Sequence, residues 1–277
     1  MTFFDLHMET KSPSGPRVPG QGIADPYTFD IARRADCLIA TGEQTKRNLM
    51  DYYGIAEEKI EVIPTGVDLN LFRPVTEAQV LDRARERYQL PDLFWLVLGP
   101  YVPPMRANAD TIIEAYAELH RRGVGMDCGL VFAGAPDPYL EEVLALAERK
   151  GVRQGIVCPG YIARKDLPAL YGMALAVVHP TSVEGFGFGL EIMACGGRFI
   201  TSNLPGVVEA VADDALTVEP RNVSALVEAM SRFATDVELR RKLSERGMAR
   251  AARYSYVKVA EKLVSLYEKL AGDLHKS

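Results

Sequence analysis

The sequence lacks long apolar runs and an excess of positive charge, and each absence excludes a class of protein. No apolar run reaches the roughly 18 to 20 residues that a membrane-spanning helix needs. The formal net charge of −5 gives no general argument for nucleic-acid binding, so no nucleic-acid partner is expected. The start, MTFFDLHMETK, has no basic region followed by an apolar core, which argues against a secretory signal.

Cysteine is also scarce. The four cysteines, Cys37, Cys128, Cys158 and Cys195, lie far apart in the sequence and mostly inside apolar stretches. Their spacing is that of neither a disulfide framework nor a zinc site. We expect them to be reduced core residues, and we expect the protein to be cytoplasmic.

What the sequence does contain is a regular alternation of short apolar stretches with segments of helical period. Nearly continuous apolar strands between helices are typical of a parallel sheet covered on both faces. We therefore predict an α/β fold, a Rossmann-like parallel sheet with helices on both faces. The strand candidates from Phe94 onward are residues 94–98, 129–133, 155–158, 174–179, 198–201 and 216–218.

The earlier part of the chain continues the same pattern. Residues 36–41 and 60–63 are strand candidates, and between them a helix over 43–53 should end at Gly54. Further along, Asn108 is predicted to cap the helix that follows it.

The most informative segment is 183–197, VEGFGFGLEIMACGG. Gly185, Gly187 and Gly189 are predicted to let the backbone approach a ligand closely. A helix beginning near Leu190 would turn its unpaired N–H groups and the positive end of its dipole toward the same loop. Such a place suits a phosphate.

Glu184 and Glu191 flank this loop. Carboxylates beside a phosphate site suit sugar hydroxyls or a developing cation better than the anion itself. In open parallel sheets, ligands bind beyond the carboxyl ends of the strands, and this segment follows a predicted strand. A Gly-rich turn that merely connects the strand to the helix remains the alternative interpretation.

A dinucleotide or nucleoside-triphosphate site fits the glycines poorly. The dinucleotide fingerprint needs Gly-x-Gly-x-x-Gly, and reading it from Gly185 puts Leu190 at the third glycine. No Gly-Lys-Ser/Thr follows either. Redox and NTPase functions are therefore disfavoured.

Residues 180–196 resemble the donor-site signature of the group 1 (family 4) retaining glycosyltransferases of GT-B architecture. The family commonly has Pro-Ser-x-x-Glu-Gly-Phe-Gly and then Glu-Ala-Met-Ala-Cys-Gly, and this chain has PTSVEGFG, FGL and EIMACG. Other stretches are similar to the family in the same order: ADCLIATGEQTKRNL (35–49), VIPTGVDLNLFRP (62–74), GYIARKDLPALY (160–171) and RYSYVKVAEKLVSLY (253–267).

The resemblance covers nearly the whole chain, mainly as the C-terminal donor-binding domain. It implies a remnant of the N-terminal acceptor domain and an interdomain segment over residues 1–75. A nucleotide-sugar donor domain would follow over 76–254, and a C-terminal crossover helix over 255–277.

The resemblance also implies roles for single residues. Glu184 would be the catalytic residue and would lie against the transferred sugar and its phosphates. Glu191 would take the ribose hydroxyls of the nucleotide, and Tyr161 and Ile162 would offer backbone groups to the base. The diphosphate would be held by the backbone amides of Gly185, Phe186, Gly187 and Phe188.

The implied reaction moves a sugar from a nucleotide-sugar to an acceptor hydroxyl with retention. The nucleotide-sugar is a co-substrate, and no metal or other cofactor is expected. Amides and positive charge would stabilise the leaving group, and Arg106 is the cation near the loop. The acceptor is expected to be a sugar or a lipid-linked sugar.

The chain departs from the family pattern in three ways. Six residues rather than seven separate Glu184 from Glu191. Pro100 and Ala107 occupy the positions where family members usually have Arg and Lys. The part resembling the acceptor domain is short, which leads us to expect a requirement for a partner chain or a homo-oligomer.

These departures leave two hypotheses open. The first is a glycosyltransferase, active with a partner that supplies the missing N-terminal domain. The second is a non-catalytic, degenerate donor-domain protein that binds nucleotide-sugar or serves as an assembly subunit.

Two surface features lead to further expectations. Apolar surface for self-association is expected around Phe3, Phe4 and the Tyr52–Tyr53 region. Peripheral membrane contact is a weaker hypothesis than a charged, solvated outer face. It would rest on six basic residues of the late helices, which are Arg240, Arg241, Lys242, Arg246, Arg250 and Arg253.

Overall fold

The computed structural model describes residues 2–3, 26–99, 108–135, 138–182 and 188–274. Its first part is a three-stranded parallel sheet in the order β1-β2-β3. The strands are β1 (Thr2–Phe3), β2 (Leu38–Ala40) and β3 (Ile60–Val62), with helices α1 (Pro26–Arg34) and α2 (Glu43–Tyr53) between them.

A second sheet has six parallel strands in the order β6-β5-β4-β7-β8-β9. They are β4 (Leu93–Leu98), β5 (Cys128–Ala133), β6 (Ile156–Gly160), β7 (Ala176–His179), β8 (Phe199–Ser202) and β9 (Leu216–Val218). Strand β4 is central, and Trp95 faces Leu130 on one neighbour and Ala176 on the other.

Helices connect these strands and cover both faces of the sheet. They are α3 (Ala78–Tyr88), α4 (Ala109–Arg121), α5 (Pro138–Arg149), α6 (Leu167–Met173), α7 (Phe188–Ala194), α8 (Pro205–Val211), α9 (Val223–Thr235), α10 (Val237–Ala251) and α11 (Tyr256–Leu274). The predicted α/β architecture, a Rossmann-like parallel sheet, is therefore confirmed.

The alternating side chains of β4 show how both faces are filled. Trp95 and Val97 belong to one buried cluster, with residues of α4, α5 and α9. Phe94 and Leu96 belong to the other, with residues of α3, α6 and α7. Because side chains alternate along a strand, a strand buried on both faces must be apolar at every position, as this one is.

Residues near their ends fix the bounds of two helices. Helix α2 spans residues 43–53 as predicted, and Gly54 ends it with a left-handed φ of 62°. Asn222 caps α9, since its side chain accepts a hydrogen bond from the Ala225 backbone N–H at 3.0 Å.

Two local predictions were wrong. Asn108 precedes α4, but its side chain makes no capping bond and is turned toward another loop. Tyr53 is buried among residues of α2, β2 and β3 rather than exposed, although Tyr52 beside it is 62% exposed. In both cases a contact with residues distant in sequence decides the conformation. The side chains of Phe3 and Phe4 lie outside the described residues.

The two sheets are joined at a crossing of two chain segments. The Val67 N–H donates to the Tyr254 carbonyl at 2.8 Å, and the Tyr256 N–H donates to the Val67 carbonyl at 3.1 Å. Helix α11 starts at this crossing and packs along the three-stranded sheet, where Leu266 meets Ile39 and Ile63.

The basic residues of α10 are largely occupied within the protein. Arg241 pairs with Glu238 and Glu245 on its own helix. Arg246 binds Asp214 at 2.7 Å, and Arg250 donates to the backbone carbonyls of residues 209 and 210. These bonds favour the charged outer face over the membrane hypothesis. In the part of the chain that the structure describes, no helix is long and apolar enough to cross a bilayer.

All four cysteines lie in the described residues, and no disulfide joins them. Cys128 and Cys195 are buried as expected. Cys158 is exposed, so the prediction of a core position was wrong for it. It lies on β6, which is an edge strand of the six-stranded sheet.

Candidate functional site

Four neighbouring strands of the six-stranded sheet end at one edge. Gly99 follows β4, Gly134 follows β5, Tyr161 follows β6 and Pro180 follows β7. The Gly99 N–H donates to the Ala133 carbonyl at 2.8 Å, which extends the hydrogen bonding of the strands past their ends. The predicted loops therefore begin where ligands bind in open parallel sheets.

Parts of these loops lie outside the described residues, namely 100–107, 136–137 and 183–187. Arg106 and the loop residues Glu184, Gly185, Phe186 and Gly187 are among them, so their roles remain predictions. The backbone of Phe188 is described and opens α7, while its side chain is not described.

Helix α7 begins at Phe188, two residues before Leu190. Gly189 consequently lies inside the helix. A Cβ there would come within 2.9 Å of the Phe199 ring and 3.1 Å of Val211. This glycine lets the helix approach β8 and α8 closely, and the approach of its backbone to a ligand remains a prediction.

Glu191 lies in the first turn of α7, as the sequence predicted, and its side chain is 27% exposed. The guanidinium of Arg164 lies 3.5 Å from its carboxylate. Burial raises the pKa of Glu191 above its ordinary value, and the charge of Arg164 opposes this effect. The carboxylate is therefore positioned at the ligand edge by helix α7 and by one cation.

Sequence reasoning missed Arg164, which holds several parts of the site together. Its guanidinium lies over the Phe72 ring, 5.3 Å from the centroid, and close to the Tyr256 side chain at the start of α11. The available signal was weak: Arg164 lies in the stretch GYIARKDLPALY, but it is 27 positions from Glu191 in sequence.

The predicted base-binding residues follow β6. Tyr161 is 71% exposed, whereas Ile162 is buried in the core cluster that also contains Leu190. Their loop is fixed by Tyr88, which donates to the Asp166 carboxylate at 2.7 Å and accepts from the Ala163 N–H at 3.3 Å. The structure thus places this loop next to Glu191, while the role of its backbone groups remains a prediction.

Asn108 joins the loop after β4 to the loop after β7. Asn108 donates to the Ser182 hydroxyl at 2.9 Å and to the Pro180 carbonyl. Strands β4 and β7 are adjacent, and the order of connection reverses between them, which is where doubly wound sheets bind nucleotides. The described site can therefore present a carboxylate and loop backbone to a polar ligand such as a ribose.

Comparison with known proteins agrees with this geometry. The family model described as "Glycosyl transferases group 1" matches residues 95–250, and the model described as "Glycosyltransferase Family 4" matches residues 5–71. The first match alone covers more than half of the chain and includes Glu191 and the loops at the carboxyl edge.

Two relatives illustrate the similarity in sequence. The serotype-specific mannosyltransferase WbdA of Escherichia coli is 28% identical over 243 residues, which are 86% of this chain and 29% of WbdA. The D-inositol 3-phosphate glycosyltransferase of Salinispora arenicola is 29% identical over 86% of this chain and 55% of its own length. The chain therefore spans about half or less of these relatives.

Among solved structures, Anabaena HepE in complex with UDP and glucose is similar in fold. Its TM-score is 0.76 at 19% identity, and the match covers 88% of this chain and 67% of HepE. At this identity the similarity concerns the GT-B fold.

Proposed function

The chain belongs to the group 1 glycosyltransferase family, and from this premise we propose that it transfers a sugar from a nucleotide-sugar donor to an acceptor hydroxyl. We propose that the transfer retains the anomeric configuration, as the resemblance of residues 180–196 implies. Relatives that bear the names of sugar transferases support this class of reaction.

The observation that carries the proposal is the position of Glu191. Its carboxylate lies at the carboxyl edge of the sheet, in the first turn of α7 and next to the loop after β6. An ionised carboxylate accepts hydrogen bonds only, so it suits the two neighbouring hydroxyls of a ribose. The HepE complex with UDP and glucose supports a nucleoside diphosphate as the ligand class.

The remaining roles rest on the sequence pattern. Glu184 is proposed to lie against the transferred sugar, and the backbone amides of residues 185–188 are proposed to hold the diphosphate. Leaving-group stabilisation would come from these amides and from Arg106, without a metal. Tyr161 and Ile162 are proposed to contact the base through their backbone.

The second candidate function is nucleotide-sugar binding without transfer. Pro100 and Ala107 favour it, because they stand where family members usually have the Arg and Lys that neutralise the leaving diphosphate. The shortened spacing between Glu184 and Glu191 favours it as well. For the transferase function we propose that a partner chain or a second copy supplies acceptor-side surface beyond the described strands β1–β3.

Calorimetric titration with UDP and GDP tests the donor site. We expect one of the two to bind, and Glu191→Ala to weaken binding about ten- to a hundredfold, as loss of a hydrogen bond to a charged group does. Glu238→Ala is the matched control, because Glu238 is exposed on α10 and pairs only with Arg241 in the described structure. Equal affinity of wild type and Glu191→Ala would contradict the proposed ribose contact.

A second experiment separates the two candidate functions. Sugar transfer or donor hydrolysis is measured for the wild type and for the variant carrying both Pro100→Arg and Ala107→Lys. If the missing cations limit the reaction, the double variant binds UDP or GDP more tightly and turns over faster. Unchanged affinity in the double variant would show that these two positions do not disable the site.

A further inference from the structure

Asn108 has an unusual backbone conformation for a residue with a side chain. Its φ is 42° and its ψ is 56°, in the left-handed region, and the residue is only 5% exposed. Asparagine tolerates this region better than most residues, but the conformation still costs free energy. Such conformations persist when surrounding contacts over-determine them, and they cluster at functional sites.

The side-chain amide of Asn108 explains what holds the residue. Its Nδ2 donates to the Pro180 carbonyl and to the Ser182 Oγ at 2.9 Å, and Ser182 Oγ lies 3.2 Å from Oδ1 of the same amide. Both ends of the amide are therefore used by one short segment after β7. Aspartate could accept from Ser182 but could not donate to Pro180 when ionised.

A second contact holds this segment from the opposite side. Ser202, fully buried at the end of β8, donates its hydroxyl to the Thr181 carbonyl. Residues 180–182 are thus fixed by β4–α4 through Asn108 and by β8 through Ser202. Glu184 follows Ser182 by two positions in the sequence, and Glu191 lies in the helix that comes next.

We infer that Asn108 is a positioning residue of the proposed donor site, whose amide fixes residues 180–182 at the point where the chain leaves β7. This inference rests on the proposed function, and it assigns Asn108 no contact with the ligand. Loss of the amide should weaken nucleotide binding although Asn108 itself does not touch the nucleotide.

Two variants test it by different routes. Asn108→Gly keeps the left-handed backbone and removes the amide. Asn108→Asp keeps the shape, but its ionised carboxylate cannot donate to the Pro180 carbonyl and is repelled by it. Asn222→Asp is the matched control, because a carboxylate caps α9 as well as an amide does.

The readout is the affinity for UDP or GDP, measured by calorimetry from about pH 8 down to about pH 5, across which a buried aspartate regains its proton. We expect Asn108→Gly to bind about tenfold more weakly at every pH. Asn108→Asp should bind weakly at pH 8 and recover toward wild type on acidification, as the protonated acid donates again. Asn222→Asp should follow the wild type.

Other titrating groups nearby are shared by all the variants. Asp110 lies on α4 and pairs with Arg221 from the loop after β9 at 3.9 Å, and His179 ends β7. The ratio of the Asn108→Asp and Asn108→Gly affinities at each pH therefore isolates the introduced carboxyl group. Far-ultraviolet circular dichroism and urea midpoints check that each variant is folded.

The outcomes are distinct. If the wild type binds neither diphosphate, the proposed function is wrong and the inference falls with it. If the wild type binds but both Asn108 variants bind equally well, only the inference is overturned. If Asn108→Asp stays as weak as Asn108→Gly at low pH, the donated hydrogen bond is not what positions the segment, and the inference is again overturned.

Discussion

The carboxylate of Glu209 accepts a hydrogen bond from the backbone N–H of Glu43 at 2.7 Å, and a second one from the next N–H at 3.2 Å. Glu43 is the first residue of α2, beside the three-stranded sheet, whereas Glu209 lies on α8 beside the six-stranded sheet. Gly42 precedes α2 and has no side chain to cap it. The cap of this helix is therefore supplied from 166 residues away and ties the two sheets together.

Replacing Glu209 by alanine should destabilise the protein. Loss of a helix cap typically costs about 0.5–2 kcal/mol of the free energy of unfolding. Glu209→Gln should lose less, because the amide oxygen still accepts one hydrogen bond. Urea denaturation measures the effect, with Glu238→Ala as the exposed-glutamate control. Equal midpoints for Glu209→Ala and Glu238→Ala would show that this cap does not stabilise the fold.

Removing the Tyr88 hydroxyl should loosen the loop after β6. Tyr88→Phe loses the bonds to Asp166 and to the Ala163 N–H, and we expect about 1 kcal/mol less stability. Because Tyr161 and Ile162 lie in the same loop, UDP or GDP should also bind more weakly. The matched control is Tyr52→Phe, whose hydroxyl is on an exposed side chain. Identical affinities for the two variants would mean that this anchor does not affect base binding.

Strands and helices of this protein were predictable because local sequence decides them. The residues of β4 are apolar on both faces, and Gly54 marks the end of α2 with the backbone conformation that glycine favours. Periodicity and chain-stopping residues report such features without knowledge of the tertiary contacts. The edge where the candidate site lies followed directly from the order of strands and helices.

Sequence-based prediction fell short where contacts with residues distant in sequence decide the surroundings of a residue. Asn108 looks like a helix cap in sequence, but Pro180 and Ser182, more than 70 positions away, bind its side chain. Gly189 belongs by spacing to a ligand loop, yet the Phe199 ring occupies the space beside it. Glu191 was predictable from the family pattern, whereas Arg164 was not, because no local pattern pairs a loop cation with a helix carboxylate.

Adding a methyl group at Gly66 should disturb the crossing between the two sheets. A Cβ there would lie 2.7 Å from Cδ1 of Tyr256 and 3.2 Å from its Cα. The next residue, Val67, hydrogen-bonds the backbone of residues 254 and 256. Overpacking of this kind costs about 1–3 kcal/mol. Gly66→Ala should therefore have a lower urea midpoint than the wild type.

Gly172→Ala is the control for this variant. Gly172 lies inside α6, and the nearest atom to an added Cβ is the Cys195 carbonyl oxygen at 3.6 Å, an ordinary contact. Alanine also favours a helix over glycine, so this variant should be as stable as the wild type or more so. The prediction for Gly66 is wrong if both alanine variants unfold at the same urea concentration.

The pH dependence of the candidate site should follow the ionisation of Glu191. Glu191 is faced by Arg164 from the loop after β6, by Tyr171 on α6 and by Cys195 after its own helix. Burial raises the pKa of Tyr171 and of Cys195, so both stay neutral near pH 7. Arg164 is therefore the charged group among them that acts on the pKa of Glu191. Removal of Arg164 leaves burial unopposed and should raise the pKa of Glu191 further.

Arg164→Met should therefore lose affinity for UDP or GDP at a higher pH than the wild type as the solution is acidified. In the proposed ribose contact, only the ionised carboxylate accepts from both hydroxyls. The raised pKa of Glu191 also determines how the stability of the fold changes with pH. A carboxyl whose folded pKa lies above its unfolded value binds extra protons in the folded state between those two values. The free energy of unfolding thus falls as pH rises through that window, and in Arg164→Met the window extends to higher pH.

Calorimetry at a series of pH values measures the first effect, and urea midpoints at the same values measure the second. Arg164→Lys should shift the binding profile less than Arg164→Met, because it keeps the charge but not the planar donor group. Arg121→Met, an exposed arginine of α4 that pairs with Glu118, is the matched control and should follow the wild type. Superimposable binding profiles for Arg164→Met and Arg121→Met would show that Arg164 does not control the ionisation of Glu191.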